Sequence, residues 1–85
     1  MSEKDLTHKE SGRFYLLAQR YDEAVRELLK AAEEDPHDAE TFYLIGLAYE
    51  AMRKREEARK YYEKAVEIDP EHELAQERLK ELIGG

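Results

Sequence analysis

Apolar residues recur along this chain with the period of an α-helix, and the pattern runs through twice. Ile45, Ala48, Tyr49 and Met52 fall on one stripe, and Ala58, Tyr62, Ala65 and Val66 fall on a second. The spacing predicts a helix ending near Met52 and another from Glu56 to Ile68, with the two stripes facing each other. In the N-terminal half the same reading ends a helix near Ala18 and runs a second from Asp22 to Glu34. Asp35-Pro36 and Asp69-Pro70 stop the second helix of each unit, because proline donates no backbone hydrogen bond and disfavours helical geometry in the residue before it. Beyond Pro70, Leu74, Ala75, Leu79, Leu82 and Ile83 lie at helical spacing among charged residues, and Gly84-Gly85 ends the pattern. The prediction is an all-α fold of five helices.

The two passes are copies of one unit. A shift of 34 residues pairs Thr7 with Thr41, Gly12 with Gly46, Tyr15 with Tyr49, Glu23 with Glu57 and Ala24 with Ala58. The same shift pairs Lys30 with Lys64, Ala31 with Ala65, Glu33 with Glu67, Asp35 with Asp69 and Pro36 with Pro70. Chance matches in a Glu-rich chain would not select the small and turn-forming residues, where a packed helical hairpin is sterically most demanding. Gly46, Ala58 and Ala65 let backbones approach closely, and Tyr49 and Tyr62 are expected to fill the gaps beside them. The predicted single domain comprises one unit over about 5–38, a second over about 39–72 and a capping helix over about 71–83. The cap covers the apolar face that a stack of hairpins leaves at its end.

Composition narrows what such a fold does. At 85 residues the core is small, which excludes large enzyme folds, and the absence of cysteine removes disulfides, thiolate nucleophiles and cysteine-ligated zinc. The net charge of −7 repels a phosphate backbone, and the nearest basic run, Arg53-Lys54-Arg55, is short and sits at a turn, so no nucleic-acid partner is expected. The polar start Met1 to Asp5 does not resemble a signal peptide, and the longest apolar-rich run, Phe42 to Tyr49, is too short to span a bilayer. The expected address is cytoplasmic, with no membrane partner. His8, His37 and His72 have no second ligand at useful spacing, and the carboxylates read as solvated helix faces with no glycine-rich phosphate loop beside them. No metal, cofactor or catalytic site is expected, and the chain is read as a non-enzyme.

The repeat unit resembles the tetratricopeptide repeat (TPR). That signature runs aromatic, Leu, Gly, Tyr, Ala, aromatic, Ala, Pro; Phe42, Ile45, Gly46, Tyr49, Ala58, Tyr62, Ala65 and Pro70 stand at those positions. The first copy keeps Gly12, Tyr15, Ala24, Leu28, Ala31 and Pro36, but has His8 in place of the aromatic and Ser11 in place of Leu. These two departures are expected to face the place of a preceding repeat, either as a free N-terminal edge or as a docking point for a partner or a second copy. Gln19 and Arg53 stand where the family often places a turn glycine.

The resemblance implies a right-handed superhelical stack whose first helices line a concave groove that receives a protein or peptide. Carried over by position, the partner-binding residues are Lys9, Arg13 and Leu17 from the first unit, Tyr43, Leu47 and Glu50 from the second, and Arg78 from the cap, with Leu6, Leu74 and Glu77 beside them. Tyr43 and Leu47 form an apolar shelf in this reading, while Lys9 and Arg13 offer positive charge to an acidic partner. Family members that grip the carboxylate of chaperone tails use Lys, Asn, Asn, Lys and Arg. Those positions fall on Lys9, Arg13, Leu44, Leu74 and Arg78, and the chain contains no Asn, so that use is not expected. A looser anion site of Lys9, Arg13 and Arg78 remains an expectation. The alternative function is structural: self-association into a homo-oligomer, or a repeat scaffold with no dedicated ligand. The lack of Asn and Cys with abundant Glu, Lys and Arg suits a heat-adapted or designed protein, whereas His8, Ser11, Gln19 and Arg53 look like natural drift.

Overall fold

The structure, a computed structural model, describes residues 5–84. Five helices follow one another: α1 (His8–Leu17), α2 (Tyr21–Glu34), α3 (Ala39–Ala51), α4 (Arg55–Ile68) and α5 (Glu73–Gly84). No strand occurs among the described residues. Each helix packs on the next in sequence, and α1 also touches α3. The molecule measures 42 × 25 × 17 Å. Its shortest dimension is under two helix diameters of about 10–12 Å each, so the helices form two thin layers around a shared seam.

Local chemistry explains where α1, α3 and α5 begin. Thr7 caps α1 in a reciprocal box: its hydroxyl accepts the Glu10 N–H at 3.0 Å, and its own N–H donates to Glu10 Oε1 at 2.9 Å. Asp38 caps α3, accepting the Glu40 N–H and the Thr41 hydroxyl, each at 3.1 Å. One repeat later, His72 takes that place before α5, and its Nδ1 accepts the Ala75 N–H at 3.2 Å. The Asp-Pro turns are alike. Asp35 and Asp69 each accept the N–H two residues on, at His37 (3.2 Å) and Glu71 (3.0 Å).

The turns inside the hairpins end α1 and α3 in the same way. Arg20 N donates to Tyr15 O at 2.8 Å and Gln19 N to Leu16 O at 3.0 Å; Lys54 N donates to Tyr49 O and Arg53 N to Glu50 O, both at 2.9 Å. These paired bonds define a Schellman motif, which needs a left-handed residue just past the helix. Gln19 (φ 61°) and Arg53 (φ 63°) occupy that conformation without being glycine. Among the described residues, the positions where the family often places a turn glycine are therefore the ones with a left-handed non-glycine backbone.

The core is built from small residues set against large ones. A Cβ on Gly46 would lie 2.5 Å from the ring of the fully buried Tyr62, and one on Gly12 would overlap the side chain of the fully buried Leu28. Ala24, Ala48, Ala58, Ala65 and Ala75 are likewise completely enclosed. Tyr62 meets Gly46 directly, while Tyr49 packs against the core and stacks on Tyr61 at 5.6 Å; Tyr61 stacks on Phe42 at 6.3 Å, which makes an aromatic ladder across α3 and α4.

His8 is engaged within its own hairpin. It turns toward α2, where Nδ1 lies 2.9 Å from Glu27 Oε1. Beside it Leu6, Ser11, Phe14, Tyr15 and Glu27 line an open recess, with Phe14 57% exposed.

Candidate functional site

The face shared by α1, α3 and α5 carries the residues singled out from the sequence, and its two halves differ. Toward the C-terminal ends of α1 and α3, Leu16, Leu17, Tyr21, Leu44, Leu47 and Ala51 line an open trough of about 390 Å³ with Arg13 at its side. Leu17, on the rim of this trough, is 88% exposed among apolar neighbours. Leu17, Leu47 and Arg13 are therefore brought together. Leu16, Tyr21, Leu44 and Ala51 were missed by positional carry-over. Leu44 and Ala51 flank Leu47 by three and four residues, so helical spacing was the signal that could have found them.

Tyr43 does not share this trough with Leu47. Its ring packs toward Tyr62 (5.9 Å) and His72 (5.0 Å), which fills the seam between α3, α4 and α5. Glu50 is committed to the same seam. It accepts the Tyr62 hydroxyl at 2.7 Å and is gripped by Arg78 through Nε, at 3.2 Å, and Nη2. Burial alone would raise the Glu50 pKa, but the hydrogen bonds from Arg78 and Tyr62 and the Arg78 charge outweigh it and hold the carboxyl below its ordinary value. Tyr62, desolvated and bonded to that carboxylate, is pushed well above the usual phenol range, and Arg78 is held firmly charged. Three helices are tied together through one carboxylate.

The remaining cations are also engaged. Lys9 Nζ lies 2.8 Å from Asp38 and Arg13 Nη1 lies 2.9 Å from Glu40, so α1 is laced to the start of α3. Burial pushes Asp38 up, but the hydrogen bonds from Lys9 and Thr41 and the Lys9 charge win, and it sits below its ordinary value. Lys9, Arg13 and Arg78 are thus each met by a carboxylate of this chain, and the three do not converge on a common open point.

Among the described residues no group of three or more His, Asp and Glu could hold a metal ion, and no helix is long and apolar enough to cross a membrane. No buried side-chain nitrogen or oxygen among them lacks a hydrogen-bond partner.

Comparison with known families places these observations in context. A family model described as "TPR repeat" matches residues 12–52, and one described as "Tetratricopeptide repeat" matches residues 39–72. Together they run from Gly12 to His72, across both hairpins. No curated protein matches the chain. Repeats of this kind generally mediate protein–protein interaction and are typically non-enzymatic. By its helical hairpins, its small-against-large seam and both matches, the chain belongs to the tetratricopeptide repeat family.

Proposed function

We propose that this chain is a protein-interaction module that holds a peptide or helix of another protein against the concave face of α1, α3 and α5. The observation that carries the reading is the open trough of Leu16, Leu17, Leu44, Leu47 and Ala51, with Leu17 left in water. Leu17 contributes nothing to the core in that position, and burying a leucine side chain is favourable by about 1.5–3 kcal/mol. An apolar recess between two helices tied by ion pairs is a preformed seat, so little ordering cost is added on binding. With only two hairpins the face is short, and the expected affinity is modest, on the order of 1–100 μM.

Selection of binding peptides from a displayed random library tests this. Selected peptides should bind the native protein and lose at least tenfold in affinity to Leu17→Asp and Leu47→Asp, both checked by circular dichroism for retained helix. Selected peptides that bind both variants unchanged would reject the proposed face.

A second reading, assembly with further copies, draws on the apolar ends: Phe14 at one, and at the other Ile83, which lines an open trough with Val66 and Leu79. Repeat-like docking at the first end is opposed by the size of Phe14, which stands where the second repeat has the fully enclosed Ala48. Light scattering across a hundredfold concentration range decides between them, since self-assembly requires a mass that rises with concentration.

A further inference from the structure

The inference rests on the binding face just described and concerns the chemistry of what it holds. The sequence pointed to an acidic partner through Lys9, Arg13 and Arg78, but the carboxylates of Asp38, Glu40 and Glu50 already occupy all three. An acidic ligand would have to displace them. What stays open on the α5 side is negative: Glu77 is exposed and has no ion partner among the described residues, and Leu74 near it is 54% exposed. The field at Tyr43 agrees. Burial chiefly raises its pKa, and the charges of Glu40, Glu50 and Glu77 add to the rise against the opposing Arg78. At the opposite end of the trough, Arg53 and Lys54 follow Ala51 and Met52 in the turn and have no ion partner among the described residues. They disfavour a basic residue beside the apolar anchor.

Geometry sets the spacing. Neighbouring parallel helices of a stack lie about 10 Å apart, and Glu77 sits at the repeat position of Tyr43, about two turns before the level of Ala51. The path from the trough to Glu77 is then on the order of 17 Å, which an extended chain covers in about five residues. We propose that the face takes an extended protein segment with one bulky aliphatic residue seated among Leu17, Leu47 and Ala51 and a basic residue about five positions away against Glu77. Shape supplies the anchor and charge supplies direction, because the two ends of the path carry opposite free charges.

Three fluorescein-labelled eight-residue peptides test it by anisotropy: one with Leu followed five positions later by Arg, one with Glu in place of the Arg, and one with the Arg moved beside the Leu. The first should bind at least tenfold tighter than the other two at about 50 mM salt, with the margin shrinking at higher salt. With Glu77→Lys the preference between the Arg and Glu peptides should invert. Equal binding of the Arg and Glu peptides, abolished by Leu17→Asp, would overturn the charge assignment while leaving the binding face intact. Binding of none of the three would overturn the segment proposed here, and if library-selected peptides also ignored Leu17 and Leu47, the face itself would fall.

Discussion

The two hairpins share a backbone plan and differ in what fills it. In α3–α4, Gly46 admits the ring of Tyr62, and Phe42, Tyr61 and Tyr49 stack beside it; in α1–α2, Gly12 admits Leu28, and the Phe42–Tyr61 pair is replaced by His8 and Glu27. The substitution is position for position at an offset of 34 residues. One hairpin is held by stacked aromatic faces, whereas the other carries a part-buried, hydrogen-bonded His–Glu pair at 2.9 Å. The repeat dictates where helices start, turn and approach, while the neighbour on each side decides how much apolar surface a hairpin buries. The inner hairpin lies between α2 and α5, and it holds most of the fully enclosed residues.

Truncating the residue that each glycine admits should separate the hairpins most strongly. Tyr62→Ala, which empties a fully enclosed site and frees Glu50 from one of its two partners, should cost about 4–5 kcal/mol in urea unfolding. Leu28→Ala should cost about 3 kcal/mol. Equal losses would mean that the Glu50 network adds nothing to the inner hairpin.

Filling the glycine holes should follow the same order with smaller effects. Gly46→Ala drives a methyl into a ring pinned by its hydroxyl bond, with an expected loss of about 2 kcal/mol. Gly12→Ala meets a leucine, and the gain in helix propensity offsets part of the clash, leaving about 1 kcal/mol. Thermal melts of the two variants side by side compare them.

Converting the first hairpin to the pairing of the second sharpens the comparison. His8→Phe with Glu27→Tyr should stabilise by about 1 kcal/mol and should also remove an acid response. The Glu27 carboxyl is held below its ordinary value chiefly by its hydrogen bond from His8. A depressed carboxyl stabilises the fold fully above its unfolded pKa of about 4.3, and that stabilisation is lost as the pH falls through the lower folded value. The native protein should therefore lose more stability between pH 5 and pH 3 than the double variant, as read from urea midpoints. Identical acid profiles would show that the pair contributes nothing.

The smallest effects belong to the turns, where the hairpins agree. Gln19→Gly and Arg53→Gly relieve a left-handed backbone and should each stabilise by about 0.5–1 kcal/mol, alike in both hairpins. A gain at only one turn would show that the two are not equivalent.

Much of this organisation was legible from residues alone. The Asp-Pro pairs and apolar stripes place helix ends within about two residues of those observed, because capping and turn chemistry act locally. Gly12 and Gly46 mark the tight approaches for the same reason. The binding face was legible only in part. Leu17 and Leu47 are visible as apolar residues on an outward stripe, but whether Lys9, Arg13 and Arg78 are free depends on carboxylates 27 to 29 residues away in sequence. Those partners meet only once the helices are stacked, and no local pattern announces them. The contacts of Tyr43 and His8 were hidden for a related reason: each meets a side chain on a neighbouring helix.

The central claim, that a partner segment lies along α1, α3 and α5, is met most directly by nuclear magnetic resonance. Titrating ¹⁵N-labelled protein with the Leu-to-Arg peptide should shift amides at Arg13, Leu17, Leu47, Ala51 and Glu77 while leaving those along the middle of α2 and α4 in place. Shifts confined to α2 and α4, with Leu17 and Leu47 unmoved, would contradict it.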